Sequence, residues 1–309
     1  MGRAHEPASL TRRSEELRRF LAAASPATQV SAAGGNVGSS LLWPKVSIVM
    51  PSYNQVEYIE RSILSVLNQG YPGVELIVID GGSDDGTAEI IRKYEDRLAY
   101  WSTAKDLGQS DALNKGFARV SGEICGWLNS DDLYAPGAIH LAAAALRASP
   151  GTQVCFGDWY EVDRADRVLS YNYAFDFNLL HFVYEGFHLN AQSMFWRKAL
   201  HERFGEFDVD LARTMDYDLI LRLGILAGEA GFLRLPLPIG CFRRHEAQKT
   251  QGFDARVSAE HVRIAAKNGF GDKFSAVGSI RRLMYRARRA GWYAHRGGAS
   301  YCLGKATGL

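Results

Sequence analysis

From residue 46 onward, short apolar runs alternate with predicted helices. Residues 46–50 and 75–79 are predicted to be strands, and residues 57–68 and 87–94 are predicted to be helices. Such alternation is typical of a mostly parallel sheet covered by helices, and it places the ligand site in the loops that follow the strands. The pattern therefore predicts an α/β fold.

Three loops that follow predicted strands carry unusual polar residues. The first covers residues 51–54, the second covers residues 80–87, and the third contains Asp131 and Asp132. Because the carboxyl ends of parallel strands share one edge of a sheet, all three loops are expected to open on that edge. Neither G-x-G-x-x-G nor G-x-x-x-x-G-K-[ST] occurs in the chain, which disfavours a dehydrogenase or a P-loop kinase.

Asp131 and Asp132 follow the apolar run 124–128, which is predicted to be a buried strand. Two adjacent carboxylates repel each other, and a hard divalent cation such as Mg²⁺ or Mn²⁺ relieves that repulsion while it neutralises phosphate oxygens. Taken alone, the tetrapeptide Asn-Ser-Asp-Asp fits a solvated turn before the next helix equally well.

The composition is that of an ordinary soluble protein with one large domain, with or without appendages. The chain has 309 residues, of which 47% are hydrophobic and 23% are charged, and its formal net charge of +2 is too small to indicate nucleic-acid binding. Four cysteines without metal-ligand spacing are expected to be reduced thiols. Because no long apolar stretch occurs, we expect neither a transmembrane helix nor export, and a location in the cytoplasm or at the inner face of the plasma membrane.

A series of segments, in order over about residues 44 to 250, resembles the motifs of the family 2 inverting glycosyltransferases. These segments are residues 46–54, 78–87, 106–116, 128–132, 215–222 and 242–245. The resemblance implies a GT-A fold, which is a Rossmann-like, mostly parallel sheet flanked by helices. It also implies transfer of a sugar from a nucleotide sugar, with a UDP-sugar favoured, to a hydroxyl of a glycan or lipid-linked acceptor in bacterial cell-surface polysaccharide synthesis.

The resemblance implies a donor site built from the first loops. Pro51 and Tyr53 would flank the base, and the carboxylate of Asp80 would accept the uracil imide N–H or a ribose hydroxyl. Gln109 and Asp111 lie where the family contacts the nucleotide or the donor sugar. Ordinary packing of Tyr53 and a helix N-terminal role for Asp111 are the alternatives.

The resemblance also implies a metal and diphosphate site. Asp132 is the first expected ligand of the divalent cation, and Asp131 is a companion ligand that could also bond the ribose or the donor sugar. His245 would complete the metal site. Either Arg243 or Arg244 could meet phosphate directly.

For the reaction itself, the resemblance implies that Asp216 is the base that deprotonates the acceptor hydroxyl. Asp218 lies two positions further on and is expected to be a solvent-facing or capping residue. The chain departs from the family pattern at Met215, where an acidic residue often precedes the base. It also departs at Asn129, where Asp is commonest, so that a contact to the sugar or ribose is expected to differ.

The stretch from residue 171 to 196 is rich in aromatic residues and falls where acceptor recognition is expected. Core packing is the default explanation, but one or two of these rings are expected to line the acceptor side together with His188, Asn190 or Gln192. The aromatic residues are Tyr171, Tyr173, Phe175, Phe177, Phe182, Tyr184, Phe187 and Trp196.

Three regions are predicted along the chain. Residues 1–43 are predicted to contain a short helix, at 11–24, and a flexible linker, at 25–42. Residues 44–254 are the predicted GT-A glycosyltransferase domain, and residues 255–309 are a predicted basic, helical C-terminal extension.

In the extension, residues 281–296 interleave arginines with apolar residues. This segment could lie on an anionic membrane with Leu283, Met284 and Trp292 towards the acyl chains, while a solvated or partner-binding helix fits equally well. Nucleic-acid binding is the weaker possibility, because basic residues alone do not specify it.

Two other functions compete with glycosyl transfer. A sugar-phosphate nucleotidyltransferase would need a glycine-rich and basic loop after the first strand, and residues 51–54 do not provide one. A non-catalytic scaffold that binds nucleotide sugars would not require the full set of acidic residues and His245. Release of a nucleoside diphosphate, rather than of pyrophosphate or of nothing, separates the three.

Overall fold

The computed structural model describes residues 7–22, 43–186, 189–246, 248 and 255–307. The predicted linker at 25–42 lies outside these described residues, as do Phe187 and His188. The strands in the described part are β1 (Val46–Ser52), β2 (Val74–Asp80), β3 (Tyr100–Thr103), β4 (Ile124–Trp127), β5 (Leu133–Tyr134), β6 (Val154–Val162), β7 (Val168–Asn172), β8 (Met194–Arg197) and β9 (Phe232–Arg243). The α-helices are α1 (Pro7–Ala22), α2 (Ile59–Leu67), α3 (Thr87–Arg92), α4 (Gln109–Phe117), α5 (Ala138–Ala148), α6 (Leu179–Glu185), α7 (Lys198–Phe204), α8 (Met215–Ala227), α9 (Ala255–Lys267) and α10 (Ala276–Thr307).

All nine described strands form one sheet, in the order β3-β2-β1-β4-β8-β6-β9-β5 with β7 paired to β6. Strands β3, β2, β1 and β4 are parallel, so their carboxyl ends lie at the same edge as predicted. The other half of the sheet is mixed, because β8 runs antiparallel to β4 and β6 while β6 and β9 run parallel. The predicted α/β fold with helices around the sheet is confirmed, and the parallel pairing is concentrated in its first half.

Strand β1 is apolar on both faces because helices cover both sides of the sheet. Ile48 and Met50 belong to one buried core with residues of α2 and α5, whereas Val49 belongs to a second core with residues of α4 and α8. A strand buried on both faces forms a continuous apolar run rather than an alternating one. This burial fixes β1 in the centre of the parallel half and directs the residues after it to the loop edge.

The predicted N-terminal and C-terminal helices are both present. Helix α1 packs Leu17 and Leu21 into a small core with residues of β5, β6 and β9, and the Ser14 hydroxyl accepts a hydrogen bond of 2.8 Å from the backbone N–H of Val168. Helix α10 contacts α6 over its first half. None of the described helices is both long enough and apolar enough to cross a membrane.

Gly116 in α4 tests how closely this helix packs on β1. A Cβ at Gly116 would overlap the side chain of Val49, whereas a Cβ at Gly291 in α10 would meet open space. Alanine is normally more stable than glycine inside a helix, by about 0.5–1 kcal/mol. We expect Gly116→Ala to lower the free energy of unfolding by about 1–3 kcal/mol because of overpacking, and Gly291→Ala to leave it unchanged or raise it.

Urea denaturation of both glycine variants measures the two free energies. Equal stabilisation by the two substitutions would contradict the close approach of α4 to β1.

Candidate active site

A chain of hydrogen bonds links three of the predicted site residues at the loop edge of the parallel half. The side-chain amide of Gln109 donates to the carbonyl oxygen of Asn129 over 2.9 Å, and the amide nitrogen of Asn129 donates to a carboxylate oxygen of Asp132 over 3.1 Å. The indole N–H of Trp127 also donates to Asn129, over 2.8 Å. The motifs at 106–116 and 128–132 therefore meet in space, and Asn129 orients Asp132.

Asp132 is almost completely buried, with 1% of its surface exposed. Its second carboxylate oxygen accepts a hydrogen bond of 2.9 Å from the backbone N–H of Arg243 at the end of β9. Burial raises the pKa of Asp132 well above its usual range, and the charge of the neighbouring Asp131 raises it further. A cation placed beside the two carboxylates would favour their ionised forms.

His245 contacts Asp131. Its ring nitrogen Nε2 lies 2.9 Å from a carboxylate oxygen of Asp131, and the imidazole is buried. The ring of Tyr58 packs against the imidazole with a centroid distance of 4.5 Å. Beside them lies a cleft of about 280 Å³, which also reaches the loop after β1; its lining residues are Asn54, Gln55, Val56, Glu57, Tyr58, Arg164, His245 and Glu246.

Arg243 does not lie at the surface where the predicted phosphate contact would form. It is 0% exposed, and its guanidinium donates to the backbone carbonyls of Asp131 and Asp163 over 2.7 and 3.0 Å. The same group forms an ion pair of 2.5 Å with Asp166, which also pairs with Arg61 over 3.1 Å. Its Nε and Nη1 nitrogens bind these partners, while the buried Nη2 has no hydrogen-bond partner among the described residues. Arg243 therefore supports the Asp131–Asp132 loop from the protein interior.

Arg244 has the opposite environment, although it is the next residue. Its side chain is 57% exposed and forms an ion pair of 2.8 Å with Glu161. Of the two predicted phosphate contacts, only this guanidinium lies in solvent. An exposed ion pair of this kind is weak, so Arg244 can exchange its partner at little cost.

Asp80 also differs from the prediction of a direct ligand contact. Its carboxylate is completely buried and accepts hydrogen bonds from the Ser83 hydroxyl over 2.5 Å, from the Thr103 hydroxyl over 2.6 Å and from the backbone N–H of Ser83 over 2.9 Å. These donors hold the turn in which Gly82 has a φ of +83°, a conformation that favours glycine. Asp80 therefore shapes the second loop, since its oxygens are turned towards the protein.

The other residues predicted for the donor site lie at the same edge of the sheet but differ in how exposed their side chains are. Tyr53 is 61% exposed at the end of β1, while Pro51 is buried within the strand. Asp111 accepts from the backbone N–H of Leu107 over 3.0 Å and pairs with Lys115 over 2.8 Å. Tyr53 thus presents a ring to solvent, whereas the alternative helix N-terminal role accounts for Asp111.

Asp216 lies in the first turn of α8. It is partly exposed, and the backbone N–H of Tyr217 donates to its carboxylate over 2.8 Å. Burial of the carboxyl group raises the pKa of Asp216 to about 6, although this hydrogen bond acts in the opposite direction. A carboxylate with a pKa near neutrality is suited to accept a proton and to remain largely ionised at pH 7.

Asp218 is not the solvent-facing or capping residue that was predicted. Its side chain is 7% exposed and forms an ion pair of 2.5 Å with Arg222 on the next turn of α8. Arg222 also donates to the backbone carbonyl of Phe204 over 2.8 Å. Asp218 therefore orients Arg222, and Arg222 ties α8 to the end of α7.

Most of the aromatic side chains between residues 171 and 196 belong to the core. Their burial supports the default explanation of core packing for Phe175, Phe177, Phe182, Tyr184 and Trp196. Tyr171 donates to the buried carboxylate of Asp158 over 2.6 Å. Asn190 remains partly exposed and Gln192 is buried, so Asn190 is the more accessible of these two predicted acceptor-side residues.

Within the part of the chain that the structure describes, no three His, Cys, Asp or Glu side chains are arranged to hold a metal ion by themselves. Mg²⁺ is usually bound by one or two carboxylates together with substrate phosphates rather than by an all-protein cage. The adjacent carboxylates of Asp131 and Asp132 fit that kind of site, since the pKa of Asp132 is raised by burial and by the charge of Asp131.

A family model described as glycosyl transferase family 2 matches residues 47–204 of the chain. The chain belongs to glycosyl transferase family 2. The matched stretch includes the loops with Tyr53, Asp80 and Asp132, and it disfavours the alternative of a sugar-phosphate nucleotidyltransferase. Asp216 and His245 lie beyond the matched stretch of this family 2 glycosyltransferase.

A relative agrees with this assignment, and two solved structures share the fold. An uncharacterized glycosyltransferase of Mycobacterium tuberculosis is 31% identical over 188 residues, which cover 59% of this chain and 70% of the relative. The crystal structure of S. aureus TarS 1–349 in complex with UDP-GlcNAc has a TM-score of 0.59 at 19% identity and covers 82% of this chain and 74% of TarS 1–349. The mannosyltransferase PcManGT from Pyrobaculum calidifontis, in complex with GDP-Man and Mn²⁺, has a TM-score of 0.54 at 17% identity and covers 97% of this chain and 87% of PcManGT. At these identities the two structures establish a shared fold.

Sequence reasoning missed three residues that organise the site of the glycosyltransferase. Tyr58 packs its ring on His245 and also lies 5.0 Å from the guanidinium of Arg243. Asp166 anchors Arg243, and it follows a strand that carries none of the recognised motifs. The carboxylate of Asp106 lies against Gly81, at about 3 Å from where a Cβ would stand. Only Asp106 had a local signal, because it begins one of the recognised segments.

The two neighbouring arginines offer a matched test of the buried ion pair. We expect Arg243→Met to lower the free energy of unfolding of the glycosyltransferase by about 3 kcal/mol or more, because Asp166 loses a buried partner. Arg244→Met removes an exposed pair and should change it by about 1 kcal/mol or less. Urea denaturation measures both values, and similar losses in the two variants would contradict the supporting role of Arg243.

The raised pKa of Asp216 predicts a pH-dependent stability difference between the wild type and Asp216→Asn. Because the folded protein holds this proton with a pKa of about 6, against an ordinary value of 3.8, Asp216 destabilises the fold progressively as the pH rises from about 4 to about 6. Asn carries no charge at any pH. Relative to the wild type, the variant should therefore gain about 1–3 kcal/mol between pH 4 and pH 7.

Denaturation curves of both proteins at several pH values measure this difference. Parallel stability profiles across that range would show that Asp216 titrates normally.

Proposed function

We propose that this family 2 glycosyltransferase moves a sugar from a UDP-sugar to a hydroxyl group of a glycan or lipid-linked acceptor, with inversion at the anomeric carbon. The observation that carries the proposal is the arrangement of Asp131 and Asp132 at the loop edge. Asp132 is held by Asn129 and by the backbone N–H of Arg243, and Asp131 is held by His245. Adjacent carboxylates that are kept in place, one of them by the His245 that lines the cleft, suit the binding of a cation and a diphosphate.

For the donor, we assign the nucleoside to the loop after β1. Tyr53 is the exposed ring at that position and offers a flat face on which a pyrimidine can stack. The solved complex of TarS with UDP-GlcNAc, which shares the fold, supports a uridine nucleotide. Asp80 contributes indirectly, by holding the turn at residues 81–83.

For the metal, we assign Asp131 and Asp132 as the residues that hold a divalent cation, Mn²⁺ or Mg²⁺, together with the donor diphosphate. When bound, the cation supplies positive charge that stabilises the departing diphosphate. His245 keeps Asp131 in position through their contact of 2.9 Å. The imidazole is thus placed to orient a metal ligand, and it is near enough to the site to act as a ligand itself. Arg244 is the exposed guanidinium that can approach the phosphates.

For the chemical step, we assign Asp216 as the base. Its carboxylate takes the proton of the acceptor hydroxyl as the hydroxyl oxygen forms a bond to the anomeric carbon. The bond from that carbon to the diphosphate oxygen breaks on the opposite face, so the configuration inverts and UDP leaves. Burial raises the pKa of Asp216 to about 6, so the carboxylate binds a proton more tightly than an ordinary Asp does. It still remains largely ionised at pH 7.

Calorimetric titration and turnover assays of the wild type, Asp132→Asn and Asp216→Asn test the proposal. UDP, GDP and dTDP are titrated with and without Mn²⁺, and release of UDP from UDP-sugars is measured in parallel. We expect Asp132→Asn to lose the Mn²⁺-dependent part of UDP binding. Asp216→Asn should bind UDP like the wild type. In the presence of acceptor, its turnover of the UDP-sugar, measured as formation of UDP, should be about 10²- to 10⁴-fold slower.

Four outcomes would contradict parts of the proposal. UDP binding that ignores Mn²⁺ and Asp132 would remove the metal assignment. Release of pyrophosphate would indicate a nucleotidyltransferase, and nucleotide-sugar binding without any turnover would indicate a scaffold. A preference for GDP or dTDP over UDP would overturn the assignment of uracil as the nucleobase of the donor.

A further inference from the structure

Helix α10 is docked on the rest of the protein by one face. Arg281 donates to the hydroxyl of Tyr184 over 2.6 Å, and Arg289 forms an ion pair of 2.6 Å with the buried Glu185. Further along, the hydroxyl of Tyr293 donates to the backbone carbonyl of Tyr173 over 3.2 Å. These contacts set the rotation of α10 about its axis and so determine which face looks away from the protein.

Trp292 belongs to the docked face, although the sequence suggested that it would reach acyl chains. Its indole N–H donates to Asp176 over 3.3 Å, and its ring packs on Phe175 with a centroid distance of 5.1 Å. The guanidinium of Arg234 lies 5.2 Å from the same ring. Trp292 therefore anchors the helix to the protein.

The face of α10 that points away from the protein is apolar. Val277, Ile280, Leu283 and Met284 are 61%, 63%, 70% and 65% exposed. Their spacing of three, three and one residues places them on one side of a helix with 3.6 residues per turn. Single exposed apolar side chains are ordinary on a protein surface, but a contiguous stripe of four marks a contact surface.

The lysine and arginine side chains of α10 have no acidic counterparts on the same helix. The sequence of α10 contains six arginines and one lysine, and neither Asp nor Glu. At about 100° per residue, Arg288 borders one side of the apolar stripe and Arg286 lies towards the other. Both are exposed. A stripe of apolar residues bordered by arginines matches an anionic lipid surface, where acyl chains take the apolar groups and head groups take the cations.

We propose that the stripe formed by Val277, Ile280, Leu283 and Met284 docks the enzyme on an anionic lipid bilayer, with Arg286 and Arg288 at the level of the head groups. The helix lies in the interface rather than across the bilayer, because its other face is bonded to α6. A nucleic acid is the poorer match, because its phosphates would offer no partner to four exposed apolar side chains. This surface is separate from the donor site and does not depend on the identity of the sugar.

Vesicle co-sedimentation of the full chain tests the proposal. The vesicles contain either pure phosphatidylcholine or phosphatidylcholine with about a third phosphatidylglycerol, enough to give the surface a negative potential. We expect the wild type to bind the anionic vesicles at least tenfold more tightly than the neutral ones. The double variant Ile280→Ser, Leu283→Ser should lose tenfold or more of that affinity, and Arg286→Gln, Arg288→Gln should remove most of the preference for anionic lipid.

A matched control uses apolar residues exposed elsewhere. Leu169 on β7 and Leu237 on β9 are 49% and 48% exposed, and the double variant Leu169→Ser, Leu237→Ser should bind vesicles like the wild type. Far-UV circular dichroism is recorded for every variant, so that loss of folding is recognised, and UDP binding is measured in parallel. Equal loss of vesicle binding in the two serine double variants would overturn the assignment of the stripe.

Two other occupants are distinguished in the same experiment. If gel filtration shows a dimer that the Ile280→Ser, Leu283→Ser change dissociates, and vesicles are not bound, the stripe is a contact between copies and the lipid proposal fails. Binding of a DNA or RNA oligonucleotide in place of vesicles would also overturn it. UDP binding without vesicle binding contradicts only this inference, whereas vesicle binding without UDP binding contradicts only the proposed enzymatic function.

Discussion

The buried ion pair between Arg243 and Asp166 holds the loop on which the candidate active site depends. Arg243 lies at the end of β9, and through its backbone N–H and its guanidinium it binds both Asp132 and the carbonyl of Asp131. Taking two charges out of water costs several kcal/mol per ion, so such a pair is poor evidence of stability by itself. Its benefit here is positional, because one residue sets the place of both adjacent acids.

The site draws its parts from both halves of the sheet. The loops after β1 and β2 and the loop after β4 come from the parallel half, where all strands end at one edge. His245 and the backbone N–H of Arg243 come from the end of β9, which pairs antiparallel with β5 directly after the two acids. The surroundings of Asp131 and Asp132 are therefore complete only when the mixed half of the sheet is in place.

Local patterning predicted the first half of the fold closely, because each strand there is a short apolar run and each loop carries its own turn residues. It predicted strand β1 at residues 46–50, and the strand extends over Val46–Ser52. The mixed half could not be predicted in this way, since β6 is held between β8 and β9, which lie far apart in the chain. Pairing over such distances depends on packing, which leaves no local pattern.

The candidate site shows the same division. The motifs correctly brought Gln109, Asn129, Asp131 and Asp132 to one edge, because motif order follows strand order. They did not reveal that Asp80 and Arg243 turn their charged groups inward, since a residue type does not state its burial. A motif reports which residues lie near a site, and packing decides which of them face the ligand.

Asn129 sets the direction of donation in the hydrogen bonds that lead to Asp132. Its carbonyl oxygen accepts from Trp127 and Gln109, and its amide nitrogen donates to Asp132. A carboxylate has the same shape but only accepts hydrogen bonds, so it could receive the first two donors and would have nothing to offer Asp132. In this chain the neutral amide therefore accepts N–H groups on one side and donates an N–H group to the buried acid on the other. A third negative charge at this position would remove the hydrogen bond to Asp132.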